Sequence, residues 1–176
     1  MSGPMLFHFS EDPSIAVFRP HVAKTREPDA EPLVWAVDAE HAPLYWFPRD
    51  CPRIALWRGP ATTEDDAERF LGLSAAGRVH AIESGWLEPM RGARLFVYRF
   101  DPGPFELHEG DAQTGHYVSR AAVAPLGCEP MQDLLSAHAG AGIELRVTPS
   151  LWPLADALIR STVRFSMSRM RNAAQR

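Results

Sequence analysis

A chain of 176 residues, 45% hydrophobic and 23% charged, can bury a core of its own and is expected to form a single globular domain over residues 1–176. A formal net charge of -4 and a pI near 6.0 oppose a dedicated nucleic-acid binder, which needs concentrated basic surface to neutralise phosphates, so no nucleic-acid partner is expected. No apolar run approaches the roughly 20 residues that span a bilayer, and the start lacks the basic and then apolar pattern of a signal peptide, so a cytoplasmic protein without a membrane partner is expected.

In chain order, Met5 to Phe9 reads as a short strand that Ser10-Glu11-Asp12-Pro13 turns away, and residues 19 to 32, with three X-Pro pairs, read as a surface crossover or lid. Leu33 to Val37 is an apolar strand, and Asp38 ends it. Pro43 is tolerable only in the first turn of a short helix that must stop before Pro48. Arg49 to Arg53 then connects tightly to a strand at Ile54 to Trp57. Thr62 and Thr63 followed by Glu64, Asp65 and Asp66 predict a capped helix through Leu71, with its acids where the helix dipole favours them. Strands follow at Arg78 to Glu83 and Ala93 to Phe100, separated by a turn or single helical turn at 85 to 89. Short strands at Phe105–Leu107 and His116–Ser119 predict a hairpin through Glu109, Gly110, Asp111 and Gly115.

Pro130 to His138 reads as a helix ending near Gly140 and Gly142, followed by a strand at Ile143 to Val147. Trp152, Ala155, Leu158, Ile159, Val163 and Phe165 to Met167 have approximate helical spacing and predict a long C-terminal helix punctuated by Arg160, Arg164, Arg169, Arg171 and Arg176. The order of elements is α+β, with mixed or antiparallel sheets and otherwise short helices.

The region from Leu33 to Arg53 crowds Trp35, His41, Tyr45, Trp46, Arg49, Asp50 and Cys51 around one turn-rich junction, the kind of place that lines sites. His41 and Tyr45 are one helical turn apart, and the Arg49 fork suits a phosphate, although a turn contact with Asp50 serves equally. Cys51 and Cys128 lie far apart and outside any CxxC pattern, so reduced structural thiols are expected, with Arg49 and Arg53 beside Cys51 as the feature that would lower its pKa. The seven histidines show no HExxH spacing, and no metal is expected. Neither a GxSxG elbow, a GxxxxGK[ST] loop nor a GxGxxG fingerprint occurs.

The opening Leu6-Phe7-His8-Phe9-Ser10, with Leu33-Val34-Trp35-Ala36-Val37-Asp38 and the short Ala42-Pro43-Leu44-Tyr45 helix, resembles the N-terminal half of ADP-ribosyltransferase-like folds. That resemblance implies NAD as the cofactor, His8 against its nicotinamide-side ribose with Ser10 nearby, and Trp35 near the nicotinamide. The late strand His116-Tyr117-Val118-Ser119 has no glutamate where those transferases hold the ribose hydroxyl, and Glu106 and Glu129 are the nearest acids. The implied cleft comprises His8, Ser10, Trp35, His41, Tyr45, Arg49, Tyr117 and Ser119 and takes NAD or a related nucleotide. The segments LFHFSEDPSI, VWAVDAEHAPLYWFPRDCPR, ESGWL, HYVSR and PSLWPLADALIRSTVRFS are similar, over essentially the whole chain, to a family of uncharacterised bacterial proteins, which supplies no reaction. The alternative is a non-enzymatic module binding a small molecule or a protein through the same aromatics. The sequence specifies neither oligomeric state nor acceptor.

Overall fold

The computed structural model describes residues 4–23, 27–108 and 115–176. Its strands are β1 (Leu6–Ser10), β2 (Val34–Val37), β3 (Arg53–Trp57), β4 (Arg78–Glu83), β5 (Leu95–Phe100), β6 (Glu106–Leu107), β7 (His116–Ser119), β8 (Gly127–Met131), β9 (Ile143–Thr148) and β10 (Arg164–Ser168). Its α-helices are α1 (Glu64–Leu71), α2 (Leu87–Gly92), α3 (Leu134–Gly140) and α4 (Trp152–Leu158). The chain divides into two compact units, residues 1–45 with 94–132 and residues 46–93 with 133–176. Leu33 to Arg53, continuous in sequence, is therefore split between them.

The first unit is an antiparallel sheet of six strands in the order β6-β7-β2-β1-β5-β8. Side chains alternate along each strand and residues paired across strands share a face, so the register sorts them. One face carries Leu6, Val34, Ala36, Tyr98 and Phe100, all buried, and Phe18 and Val123 close over it. Phe18 and Val123 hold each other by two backbone hydrogen bonds of 2.8 and 2.9 Å. Tyr98 has a fully buried ring, and its hydroxyl donates to the Asp12 carbonyl (2.6 Å) and accepts from the Ile15 amide (3.1 Å), which satisfies the phenol and ties down the turn after β1.

The second unit holds a mixed sheet in the order β10-β3-β4-β9, in which only β4 and β9 run parallel. All five residues of β3 are buried, as expected of a central strand. On one face Ile54, Leu56, Val79 and Ala81 meet Phe70 of α1, Leu151 at the start of α4, and Ala155 and Leu158 within it. The other face carries Ala55 and His80, with Phe47 and α3 against it. Helix α1 begins as its sequence predicts, with the Thr63 hydroxyl accepting from the Asp66 amide and Glu64, Asp65 and Asp66 in the first turn.

Two expectations are overturned. There is no long C-terminal helix: α4 stops at Leu158 and residues 164–168 are instead β10, paired along its length with β3. Thr162 offers its amide (2.7 Å) and hydroxyl (2.6 Å) to the Asp66 carboxylate, which removes that amide from any helical ladder. Val163, Phe165 and Met167 then follow the period of a strand. The arginines assigned to that helix lie on the turn, the strand and the tail beyond it, so a helix dipole does not explain them. The helix expected from Pro130 begins at Leu134, because Gly127–Met131 pairs with β5 as an edge strand, where proline is permitted. The predicted β6–β7 hairpin forms, and its expected turn residues Glu109, Gly110 and Asp111 lie outside the described residues.

Candidate functional site

The chemistry of the first unit gathers on the sheet face away from Phe18. Trp35 pairs with Val118 and Val37 with His116, so these four share that face, and His108, whose amide donates to the His116 carbonyl (2.9 Å), stands opposite His116 at the end of β6. The Trp35 ring lies 5.0 Å from the His108 ring and 5.7 Å, edge-on, from that of His116. All three residues are half-buried.

Asp38, directly after β2, organises the turn above this face. Its carboxylate accepts from the His41 amide and from His41 Nδ1–H, both at 2.8 Å, and its carbonyl accepts from the Ala42 amide at 2.9 Å. Pro43 then sits in the single 3-10 turn Ala42–Tyr45, where its missing N–H costs nothing. That turn delivers the Tyr45 hydroxyl into a hydrogen bond with His116 Nε2, while its ring stacks on Phe9 at 6.4 Å and 4°. Gly115 completes the arrangement. Its φ is +63°, its carbonyl accepts from the Asp38 amide (3.0 Å), and a Cβ on it would run into His41 Nδ1 and the Asp38 carboxylate.

The eight residues read from the sequence separate. Trp35 and Tyr45 meet at His116, and His41 lies beside the adjoining Gly115. His8 is on the opposite face, 4.9 Å from Phe18, and its Nδ1–H donates to the Trp35 carbonyl (3.0 Å), so it touches the backbone of that residue and not its indole. Ser10 accepts from the Asp12 amide (3.1 Å), which is a turn contact. Tyr117 packs with the Phe18 core, and Ser119, 2% exposed, bonds locally to Ala121. Arg49 is exposed and belongs to the second unit.

The reading from sequence missed His108 and His116 as partners of Trp35. Strand alternation contained the signal, since Tyr117 and His116 cannot face the same way. Glu106 pairs with Val118 and so falls on the Trp35 face, two strands from the indole, about 10 Å at the usual strand spacing. It is bound, with Glu31, to the Arg120 guanidinium, and Glu129 pairs with Arg99 (2.8 Å). Cys51 is fully buried, and burial pushes its thiol up to about 12 despite Arg53, the reverse of activation.

Among the described residues no group of three or more His, Cys, Asp or Glu is placed to hold a metal ion, and no helix is long and apolar enough to cross a membrane. An α+β chain bearing an indole, two imidazoles and a phenol together on one sheet face is the class these observations define. A family model matches residues 7–173, and the chain belongs to that family, DUF6886, a family of unknown function. No curated protein and no solved structure matches it.

Proposed function

We propose that the Trp35 face binds a nucleotide-like small molecule, with a flat ring laid against the indole and polar groups meeting Tyr45, His108 and His116. The observation that carries this reading is the half-buried Trp35 with two imidazoles close to its ring and the Tyr45–His116 hydrogen bond beside it. Stacking on aromatic side chains contributes about 1 to 3 kcal/mol per base where it is used for nucleotides. NAD and ADP-ribose are the first ligands to try. Binding is favoured over ribosyl transfer, because transfer as the ADP-ribosyltransferase resemblance implies it needs His8 and Trp35 in one cleft, whereas their side chains occupy opposite faces.

The test is calorimetric titration of wild type, Trp35→Ala and His8→Asn with NAD, ADP-ribose and nicotinamide. Heat in wild type and His8→Asn, lost in Trp35→Ala, is the expected pattern. Absence of heat with all three ligands overturns the nucleotide reading, and loss in His8→Asn with retention in Trp35→Ala moves the site to the other face.

A further inference from the structure

On the α3 side of the four-stranded sheet, His80 of β4 and His138 of α3 are joined ring to ring, His138 Nε2 to His80 Nδ1 at 2.9 Å, and both are at most 1% exposed. Their protonation follows from their partners. His138 Nδ1 lies 2.7 Å from the Leu134 carbonyl, which can only accept, so Nδ1 carries the hydrogen and Nε2 a lone pair. His80 must then donate through Nδ1, which leaves its Nε2 as a bare lone pair. That atom is buried and has no hydrogen-bond partner. Phe47 packs its ring 5.3 Å from His80 and 5.0 Å from His138, and Trp46 stands edge-on to His138 at 5.8 Å.

We infer that this imidazole pair is a proton-sensitive latch that holds α3 on the sheet at neutral pH and loosens it in mild acid. A proton on His138 must go to Nε2, where it either meets the His80 N–H head-on or drives that hydrogen to the partnerless His80 Nε2. A proton on His80 must go to Nε2, where nothing accepts its hydrogen bond. Among the described residues the surroundings add no compensating anion on this face. Arg53 of β3 and Arg78 of β4 are cations acting on His80, and Cys51 is a neutral thiol. Glu88 and Arg91 of α2 are exposed and pair with each other (3.4 Å), and Glu144 and Arg146 of β9 pair at 2.6 Å on the opposite face of the sheet, in register with Val79 and Ala81. Helix α3 rests on β9 and α2, and its own acid, Asp133, caps the Ser136 amide at the exposed start.

The sign follows from linkage. Burial, with His138, Arg78 and Arg53, pushes His80 down to about 2, and burial pushes His138 down against its Leu134 bond. Exposed imidazoles titrate near 6.5, so the latch is fully made above that pH, and its contribution falls as pH drops from 6.5 towards the depressed folded values. For one histidine freed by opening, the opening constant scales as 1 + 10^(6.5 − pH), about 30-fold between pH 7.5 and 5.0, and freeing both approaches 1,000-fold.

Amide hydrogen exchange of the full chain at those two pH values, corrected for intrinsic rates, reads this directly. The expected result is at least about 30-fold loss of protection over Leu134–Gly140 with α4, on the other face, changed by less than about 3-fold. Equal protection of α3 at both pH values overturns the latch, and so does a parallel rise in α4, which would mean whole-unit acid unfolding. Replacing both rings together, His80→Leu with His138→Met, should flatten the dependence to under about 2-fold, since removing both partners avoids an orphaned group. Persistence of the full dependence in that variant overturns the assignment. Imidazole nitrogen spectra of the wild type need no variant. Both rings should remain neutral Nδ1–H tautomers down to pH 5.5, and titration of either above pH 6 in the folded protein refutes the latch.

Discussion

Loss of Glu83 should cost the second unit heavily. It ends β4, is 5% exposed, and divides its carboxylate between two backbone amides, Oε1 accepting from Leu151 (3.1 Å) and Oε2 from Ala174 (2.8 Å). Leu151 is the N-cap of α4 and its side chain has no acceptor, so Glu83 supplies from another strand both the missing cap and a negative charge at the positive end of the helix. Ala174 is tied twice, because its carbonyl also accepts from Trp152 Nε1–H (2.6 Å). Hydrogen bonds to a charged group contribute about 1.5 to 3 kcal/mol each, so Glu83→Ala should cost about 3 to 5 kcal/mol. Glu83→Gln keeps one acceptor and turns an N–H towards the other amide, for about 2 to 3 kcal/mol. Truncation after Ala173 removes the Ala174 amide by a separate route. Urea denaturation of wild type, Glu83→Gln, the truncation and the double change closes a thermodynamic cycle. The two changes share one bond, so together they should cost less than their sum by about 1 kcal/mol. A Glu83→Ala cost under about 1 kcal/mol, or strict additivity in the cycle, refutes the assignment of Glu83 as the tie between β4, α4 and the tail.

Gly115→Ala should destabilise the first unit by more than about 1 kcal/mol and weaken any ligand bound at Trp35, because a Cβ at positive φ also strikes the Asp38–His41 pair; an unchanged melting temperature counts against that geometry. Iodoacetamide at pH 8 should label Cys128, which is exposed, and leave Cys51 unmodified until the chain is denatured; mass spectrometry showing native labelling of Cys51 contradicts its buried, raised-pKa state.

Much of the local structure was legible in the residues because its causes are local. Thr63 and three acids start α1, Pro43 permits only a first turn, and the short strand His116–Ser119 forms where the residues predict it. The same logic misread residues 159–168, where approximate helical spacing competed with a strand period, and the outcome depended on Asp66 and β3, both remote in sequence. The candidate site shows the same division. The residue types at Trp35, His41 and Tyr45 were conspicuous in the sequence, but that Trp35 and Tyr45 meet His116 while His8, Tyr117 and Ser119 take the other face depended on register.

What the sequence determined by itself was an α+β chain of short strands with capped, interrupted helices, because hydrophobic period, capping and proline geometry act within a few residues. Only the tertiary structure decided which strands share a sheet, which face each side chain takes, and that His80 meets a histidine 58 residues away. Those depend on pairing distant segments, and in a strand a shift of one residue sends every side chain to the opposite face.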